Sequence, residues 1–93
     1  MLYNVYSFYD KISKSFKAPV CDTQPVENLV ECYHRDILRI INDENALSKL
    51  KDHNLLLVAT FDDNSGKLIT LETPELLIDF DSLILNHLGG PEA

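Results

Sequence analysis

The sequence predicts an α+β domain in which a four-stranded, mostly antiparallel sheet carries one long amphipathic helix on one face. Three observations indicate this class: an aromatic-rich β segment at the start, a helical repeat of apolar residues over 24–42, and two β-favouring segments around an acidic turn. The predicted order is β-β-α-β-β-α. With 93 residues, the chain is expected to form a single domain, residues 1–93, around one modest core.

Two strands are predicted before the helix. Residues 2–9 (LYNVYSFY) are rich in β-forming side chains and end at the polar pair Asp10-Lys11. Residues 14–21 (KSFKAPVC) can form a return strand. Because Pro19 cannot donate a hydrogen bond to a sheet ladder, such a strand would lie at an edge or contain a bulge.

The long helix is predicted from apolar residues at i, i+3, i+4 and i+7 spacing. Pro25 suits the first helical position, and one of residues 22–24 can cap it, so the helix is expected to span about 24–42. Residues 46–50 suggest one or two further turns. The apolar stripe consists of Val26, Leu29, Val30, Tyr33, Ile37, Ile40 and Ile41.

The second half is predicted to begin with a hairpin. Residues 54–61 (NLLLVATF) form a nearly continuous apolar run, which is typical of a central strand, and residues 67–72 (KLITLE) return as its partner. The loop between them has side chains that bond within turns and a glycine suited to positive φ. The residues of this structural turn are Asp62, Asp63, Asn64 and Gly66.

Two interpretations remain open for residues 74–88. In the first, a helix begins near Pro74, and one of its faces carries Leu76, Leu77, Phe80, Leu83, Ile84 and Leu88. In the second, residues 76–78 are extended and a helix follows, capped by Asp79 or Asp81; this interpretation is favoured. Residues 89–93 contain Gly-Gly-Pro and are expected to be frayed.

The composition argues against several classes of function. Eight Lys and Arg against fifteen Asp and Glu give a net charge of −7, whereas proteins that coat nucleic acid draw their affinity from clustered cations. No segment approaches the roughly 18–20 apolar residues that span a bilayer, and the first residues do not resemble a signal peptide. Two cysteines are too few for a disulfide framework, so we expect a soluble intracellular domain.

No catalytic or metal-binding constellation is apparent. Cys32 and His34 are two residues apart on a helix and therefore point in different directions, while Cys21 and His53 belong to no ligand motif. The acidic turn at 62–66 lacks the alternating ligands and the final glutamate of a calcium loop. We therefore expect no catalytic residues, no metal, no cofactor and no enzymatic activity.

Aromatic and charged residues provide the candidates for binding. One helix covers only one sheet face, so the other face is expected to join a homodimer unless the C-terminal helix covers it. The candidate interaction residues are Tyr3 and Tyr9 on one face of the first strand, and Tyr6 and Phe8 on the other. The candidate basic patch is Lys11, Lys14 and Lys17, which can contact phosphate or protect an edge strand. Acidic residues near the C-terminus can meet a basic partner or form an ordinary helix surface: Glu75, Asp79, Asp81 and Glu92.

Several motifs together resemble a known viral family. They are Y-x-V-Y-x-x-Y-D-K at 3–11, Ala-Pro-Val at 18–20, the amphipathic helix, T-F-D-D-x-S-G at 60–66 and a Pro-hydrophobic stretch at 74–78. In this order they resemble the small nonstructural protein of gokushovirus-type microviruses, which are small single-stranded-DNA bacteriophages. The resemblance implies a protein absent from the virion and associated with viral DNA synthesis or packaging, with no catalytic residues to assign.

The expected function is therefore that of a non-enzymatic phage protein in the host bacterial cytoplasm. It would act through contacts with a viral or host replication or assembly protein. The alternative is direct binding of single-stranded DNA, with tyrosines of the first strand stacking on bases beside the three lysines.

Overall fold

A computed structural model describes residues 1–87, which form a five-stranded antiparallel sheet and three helices. The α+β class and the antiparallel sheet are confirmed. The predicted fraying of residues 89–93, and the predicted place of Leu88 on a helix, fall outside the described residues. The elements are β1 (Leu2–Asp10), β2 (Ser15–Phe16), β3 (Val20–Asp22), α1 (Val26–Ile40), α2 (Glu44–Ser48), β4 (His53–Asp62), β5 (Lys67–Asp79) and α3 (Phe80–His87).

The sheet has the strand order β2-β1-β4-β5, and β3 also pairs with β1. The predicted return strand is thus two short strands, with Pro19 in the gap between them. Both pair with β1 on the edge opposite β4, because β4 occupies the other edge along the length of β1. The central position predicted for residues 54–61 is confirmed.

Two irregularities near Val58 distort the middle of the sheet. Val5 pairs with Ala59 and Tyr6 with Leu57, so β1 has no residue opposite Val58. On the other side of β4, the register moves from Leu57↔Glu75 to Ala59↔Thr70, so residues 71–74 of β5 bulge outward there. Bulges of this kind increase the local twist and bend the strands.

The turn between β4 and β5 lies where the acidic residues predicted it. The Asn64 N–H donates to the Asp62 carboxylate at 2.9 Å, and the Gly66 N–H donates to the Asp62 carbonyl at 2.8 Å. Gly66 has a φ of 71°, a conformation that side chains disfavour. The turn thus uses glycine for its backbone freedom.

The C-terminal segment follows the favoured interpretation, strand and then helix. β5 continues to Asp79, and the Asp79 carboxylate accepts hydrogen bonds from the N–H groups of Asp81 (3.1 Å) and Ser82 (3.4 Å). It therefore caps α3. Residues 75–79 remain extended because β4 pairs with them, as in Leu76↔Leu56.

All three helices pack on the same face of the sheet. Phe80, Ile37 and Leu55, from α3, α1 and β4, are the largest fully buried side chains. The C-terminal helix therefore does not cover the second face of the sheet. The buried cluster consists of Tyr6, Leu29, Ile37, Leu47, Leu55, Ile78, Phe80, Leu83 and Ile84.

Candidate interaction face

The side of the sheet that faces away from the helices is largely apolar, and we call it the open face. Its members follow from strand alternation and from the cross-strand pairs, because paired residues share a face. Phe16, Leu68 and Leu76 lie on it and are each at least half exposed. Val5, Ser7 and Ala59 at its centre are buried. The open face comprises Tyr3, Val5, Ser7, Tyr9, Phe16, Cys21, Asn54, Leu56, Val58, Ala59, Phe61, Leu68, Thr70, Glu72, Pro74, Leu76 and Asp79.

A shallow groove of about 240 Å³ crosses the middle of the open face. Ser7 and Val58 lie on neighbouring strands within it, Pro74 comes from the bulge in β5, and Phe16, Lys17 and Pro19 come from the β2–β3 region. The Ser7 hydroxyl donates to the Lys17 carbonyl at 2.6 Å and so fixes the β2–β3 connection beside the groove. The groove is therefore built from the two irregular parts of the sheet.

The structure divides the four predicted aromatic residues between two environments. Tyr6 is buried under the helices, and Phe8 packs against the same cluster. Tyr3 and Tyr9 lie on the open face, where Tyr3 neighbours Phe61 (ring centroids 6.2 Å apart) and Tyr9 neighbours Phe16 (4.9 Å). Strand alternation anticipated this division.

The three predicted lysines also have different surroundings. Lys11 forms ion pairs with Asp81 (2.9 Å) and Asp79 (3.4 Å). Lys14 lies in the exposed β1–β2 turn with a φ of 58°, and Lys17 lines the groove. Two of the C-terminal acids considered above, Asp79 and Asp81, thus form ion pairs with Lys11. Glu75 is exposed on β5, and Glu92 lies outside the described residues.

The ion pairs of Lys11 join the β1–β2 turn to the start of α3. The Asp81 carboxylate also accepts a hydrogen bond from the Asp52 N–H at 2.9 Å. Burial opposes ionisation of Asp81, but this hydrogen bond and the pair with Lys11 outweigh it and hold the pKa of the carboxyl below its ordinary value. The hydrogen bond to Asp81 also raises the pKa of the Lys11 ammonium.

This cluster is expected to make stability depend on pH in acid. Since the folded-state pKa of Asp81 is lowered, its contribution is present above the ordinary aspartate pKa and is lost as the pH falls through the folded-state value. Replacement of Lys11 by Met should therefore make the acid loss of stability shallower. Urea denaturation between about pH 5 and about pH 2 measures this dependence.

The matched control is Lys14→Met, which removes an exposed lysine from the same turn. It should leave the acid dependence of the urea midpoint as in the unmodified protein. Equal slopes for Lys11→Met and the unmodified protein would contradict the role assigned to this ion pair.

The cysteines and histidines, which are the other candidates for metal binding or nucleophilic chemistry, are dispersed. Cys21 is exposed on β3, and Cys32 and His34 lie on α1, where the His34 ring is 6.4 Å from that of His87. His53, at the start of β4, has its Nε2 atom 3.9 Å from the Asp10 carboxylate. Within residues 1–87, no three His, Cys, Asp or Glu side chains are grouped so that they could hold a metal ion.

A second depression of about 490 Å³ lies between α2 and α3. Leu47 and Ile84 contribute apolar walls, and the Ser48 hydroxyl donates to the Asn45 carbonyl at 2.8 Å. Lys51 also lines this depression. In the part of the chain described, no helix is both long and apolar enough to cross a membrane.

Sequence reasoning alone missed several residues of the open face. Phe16, Phe61 and Leu76 join Tyr3 and Tyr9 only through the cross-strand register. Phe61 lies in the predicted strand 54–61, but this segment is apolar almost throughout, so its sequence does not show which side chains share a face. Pro19 indicated one irregular part of the groove, but the bulge at residues 71–74 of β5 was not predicted.

Comparison with known proteins gives the chain a family. A family model described as Phage ORF5 protein matches residues 3–83, from the first strand into the last helix. No curated protein and no solved structure matches the chain significantly. Because the match extends over most of its length, the chain is a phage protein that belongs to the Phage ORF5 protein family.

Proposed function

We propose that this phage protein is the small nonstructural protein of a gokushovirus-type microvirus. It acts without catalysis, in the cytoplasm of the host bacterium, by contacting proteins of viral DNA synthesis or packaging. The observation that carries the proposal is the open face, which exposes Phe16, Leu68 and Leu76 on a chain with a net charge of −7. Contiguous apolar surfaces of this kind commonly mark protein contact sites.

The chemistry of the surface supports protein contacts. Most of the open face is uncharged: its carboxylates, Glu72 and Asp79, lie on β5, and Lys17 lines the groove. A small groove with exposed aromatic and leucine side chains around it suits apolar anchor residues, which dominate the energetics of protein interfaces.

Chemical cross-linking in infected host cells tests this proposal. The tagged protein is expected to recover a viral replication or capsid-assembly protein, identified by mass spectrometry. Leu76→Lys places a charge on the open face and should abolish this recovery. Leu38→Lys is the matched control, because Leu38 is equally exposed (56%, against 55% for Leu76) but lies on α1.

Two results would overturn the proposed function. One is that the unmodified protein recovers no viral replication or assembly protein during infection. The other is that Leu76→Lys and Leu38→Lys recover such a protein equally well, which would place the contact away from the open face.

The aromatic pairs Tyr3–Phe61 and Tyr9–Phe16 favour a second candidate, the binding of single-stranded DNA. Exposed rings on a sheet can stack on bases, and Lys17 lies beside one pair. Titration of a labelled single strand at low salt distinguishes the two functions. Binding that weakens with added salt and is lost in a Tyr9→Ala variant would favour DNA contact.

A further inference from the structure

We infer that His53 and Asp10 form a pH-operated clamp between the start of β4 and the end of β1. When the imidazole ring takes a second proton, at Nε2, this nitrogen donates a hydrogen bond to the Asp10 carboxylate and ties the two strand ends together. The two residues are cross-strand partners in the register of β1 and β4. The inference goes beyond the proposed function, because the clamp lies at one end of the sheet and involves no partner protein.

The neutral His53 ring leaves its Nε2 atom without a hydrogen bond. Nδ1 lies 2.7 Å from the Lys51 carbonyl oxygen, which only accepts hydrogen bonds, so Nδ1 carries the proton of the neutral ring. Nε2 is then an acceptor, and it is buried with no hydrogen-bond partner within residues 1–87. The Oδ2 atom of the Asp10 carboxylate faces it at 3.9 Å. Two acceptors therefore face each other, and a proton on Nε2 would satisfy both.

The turn that follows β1 holds the Asp10 carboxylate in position. Its Oδ1 atom accepts hydrogen bonds from the N–H groups of Ile12 (2.9 Å) and Ser13 (3.3 Å), which leaves Oδ2 for the imidazole ring. The hydrogen bond from Ile12 is the main reason that the pKa of the Asp10 carboxyl lies below its ordinary value. Asp10 is therefore ionised between about pH 5 and about pH 8, the range in which histidine side chains change charge.

Other charged groups also lie at this end of the sheet. Burial of the His53 ring opposes its protonation, whereas neighbouring carboxylates favour it. The contribution of Asp10 is therefore isolated by substituting Asp10 alone. The charged groups are Asp10 and Lys11 at the end of β1, Lys51 and Asp52 before β4, Asp79 at the end of β5 and Asp81 at the start of α3.

The clamp would add a side-chain bond to an existing backbone bond between the same two segments. The Lys11 N–H donates to the Asp52 carbonyl at 2.8 Å and joins the β1–β2 turn to the residue before β4. The turn leads into β2, which contains Phe16 of the open face. In mild acid the clamp therefore secures the strand ends from which this edge of the open face extends.

NMR that correlates the carbon-bound ring protons of histidine with the ring nitrogens tests the clamp on the purified full chain. At about pH 8 the nitrogen shifts of His53 should show the proton on Nδ1, and Nε2 should become protonated during titration to about pH 5. Asp10→Asn keeps a side-chain oxygen for the N–H groups of Ile12 and Ser13 but removes the charge. In this variant the titration midpoint of His53 should fall by at least about half a pH unit, which is an about threefold weaker affinity for the proton.

Asp52→Asn is the matched control. It removes a carboxylate from the residue next to His53, and asparagine tolerates the φ of 63° at this position. The His53 midpoint should change less in this variant than in Asp10→Asn. His34, which is exposed on α1, is an internal control whose midpoint should be the same in all three proteins.

The outcomes decide the clamp without reference to any partner. A proton on Nε2 of the neutral ring overturns it, as does an unchanged His53 midpoint in Asp10→Asn. Equal shifts in Asp10→Asn and Asp52→Asn also overturn it, because they would reflect general charge rather than the facing carboxylate. A larger shift in Asp10→Asn supports it. Recovery of a viral protein from infected cells is measured separately, so failure of the clamp and failure of the proposed function are distinguishable.

Discussion

Phe80→Ala is expected to lower the free energy of unfolding by about 3–5 kcal/mol, the usual cost of removing a buried phenylalanine ring. Phe80 is fully buried at the start of α3, and its ring contacts those of Phe8 (5.8 Å between centroids) and Tyr33 (5.5 Å). The substitution leaves a cavity where β1, α1 and α3 meet. Domains are typically stable by only about 5–15 kcal/mol, so the variant should be close to unfolding at 25 °C.

Urea denaturation followed by circular dichroism measures this loss. Protein concentration must be held constant, since dimerisation would link stability to concentration. Leu85→Ala is the matched control on the same helix, because Leu85 is 58% exposed. It should change the free energy of unfolding by no more than about 0.5 kcal/mol. Similar losses for the two variants would contradict the assignment of Phe80 to the centre of the core.

Ile37→Ala is expected to destabilise the fold by about 2–5 kcal/mol. Ile37 is the fully buried residue of α1, and it joins the core cluster that includes Leu55 of the central strand. Its loss removes apolar contacts that hold the helix against the sheet. The urea midpoint should fall with little change in the slope of the transition, because the folded state buries nearly the same surface.

The neighbouring Leu38 provides the control for this prediction. It lies one residue along the same helix but exposes 56% of its surface, so Leu38→Ala should be nearly neutral. If Leu38→Ala proved as costly as Ile37→Ala, the orientation of α1 on the sheet would be wrong.

Local sequence patterns predicted the elements whose stability has a local origin. The apolar stripe predicted α1 over 24–42, and the structure has it from Val26 to Ile40. Capping groups predicted the start of α3, where Asp79 accepts two backbone hydrogen bonds. In both cases the determining residues lie within one or two turns of each other, so the sequence contains the signal.

Features that depend on distant pairing could not be predicted in the same way. β2 and β3 have two and three residues and form by pairing with β1, while Pro19 separates them. β5 runs unbroken from Lys67 to Asp79 although residues 71–74 bulge, because β4 supplies partners on both sides of the bulge. No local propensity encodes those partners.

The candidate site likewise has features that local sequence predicts and features that depend on distant contacts. Strand alternation separated Tyr3 and Tyr9 from Tyr6 and Phe8, but it could not indicate which pair the helices cover. The partners of Lys11 are 68 and 70 residues away in the chain, so the sequence showed a lysine cluster where the structure has an ion pair.

The bulge at residues 71–74 also has a consequence for assembly. β5 is the last strand of the sheet in the described part of the chain, and its outer edge would ordinarily offer a template on which further chains could stack sideways. Pro74 has no amide hydrogen, and the bulge bends the backbone out of line, so the ladder of free donors and acceptors is interrupted. Sideways addition of further chains along this edge is thereby disfavoured.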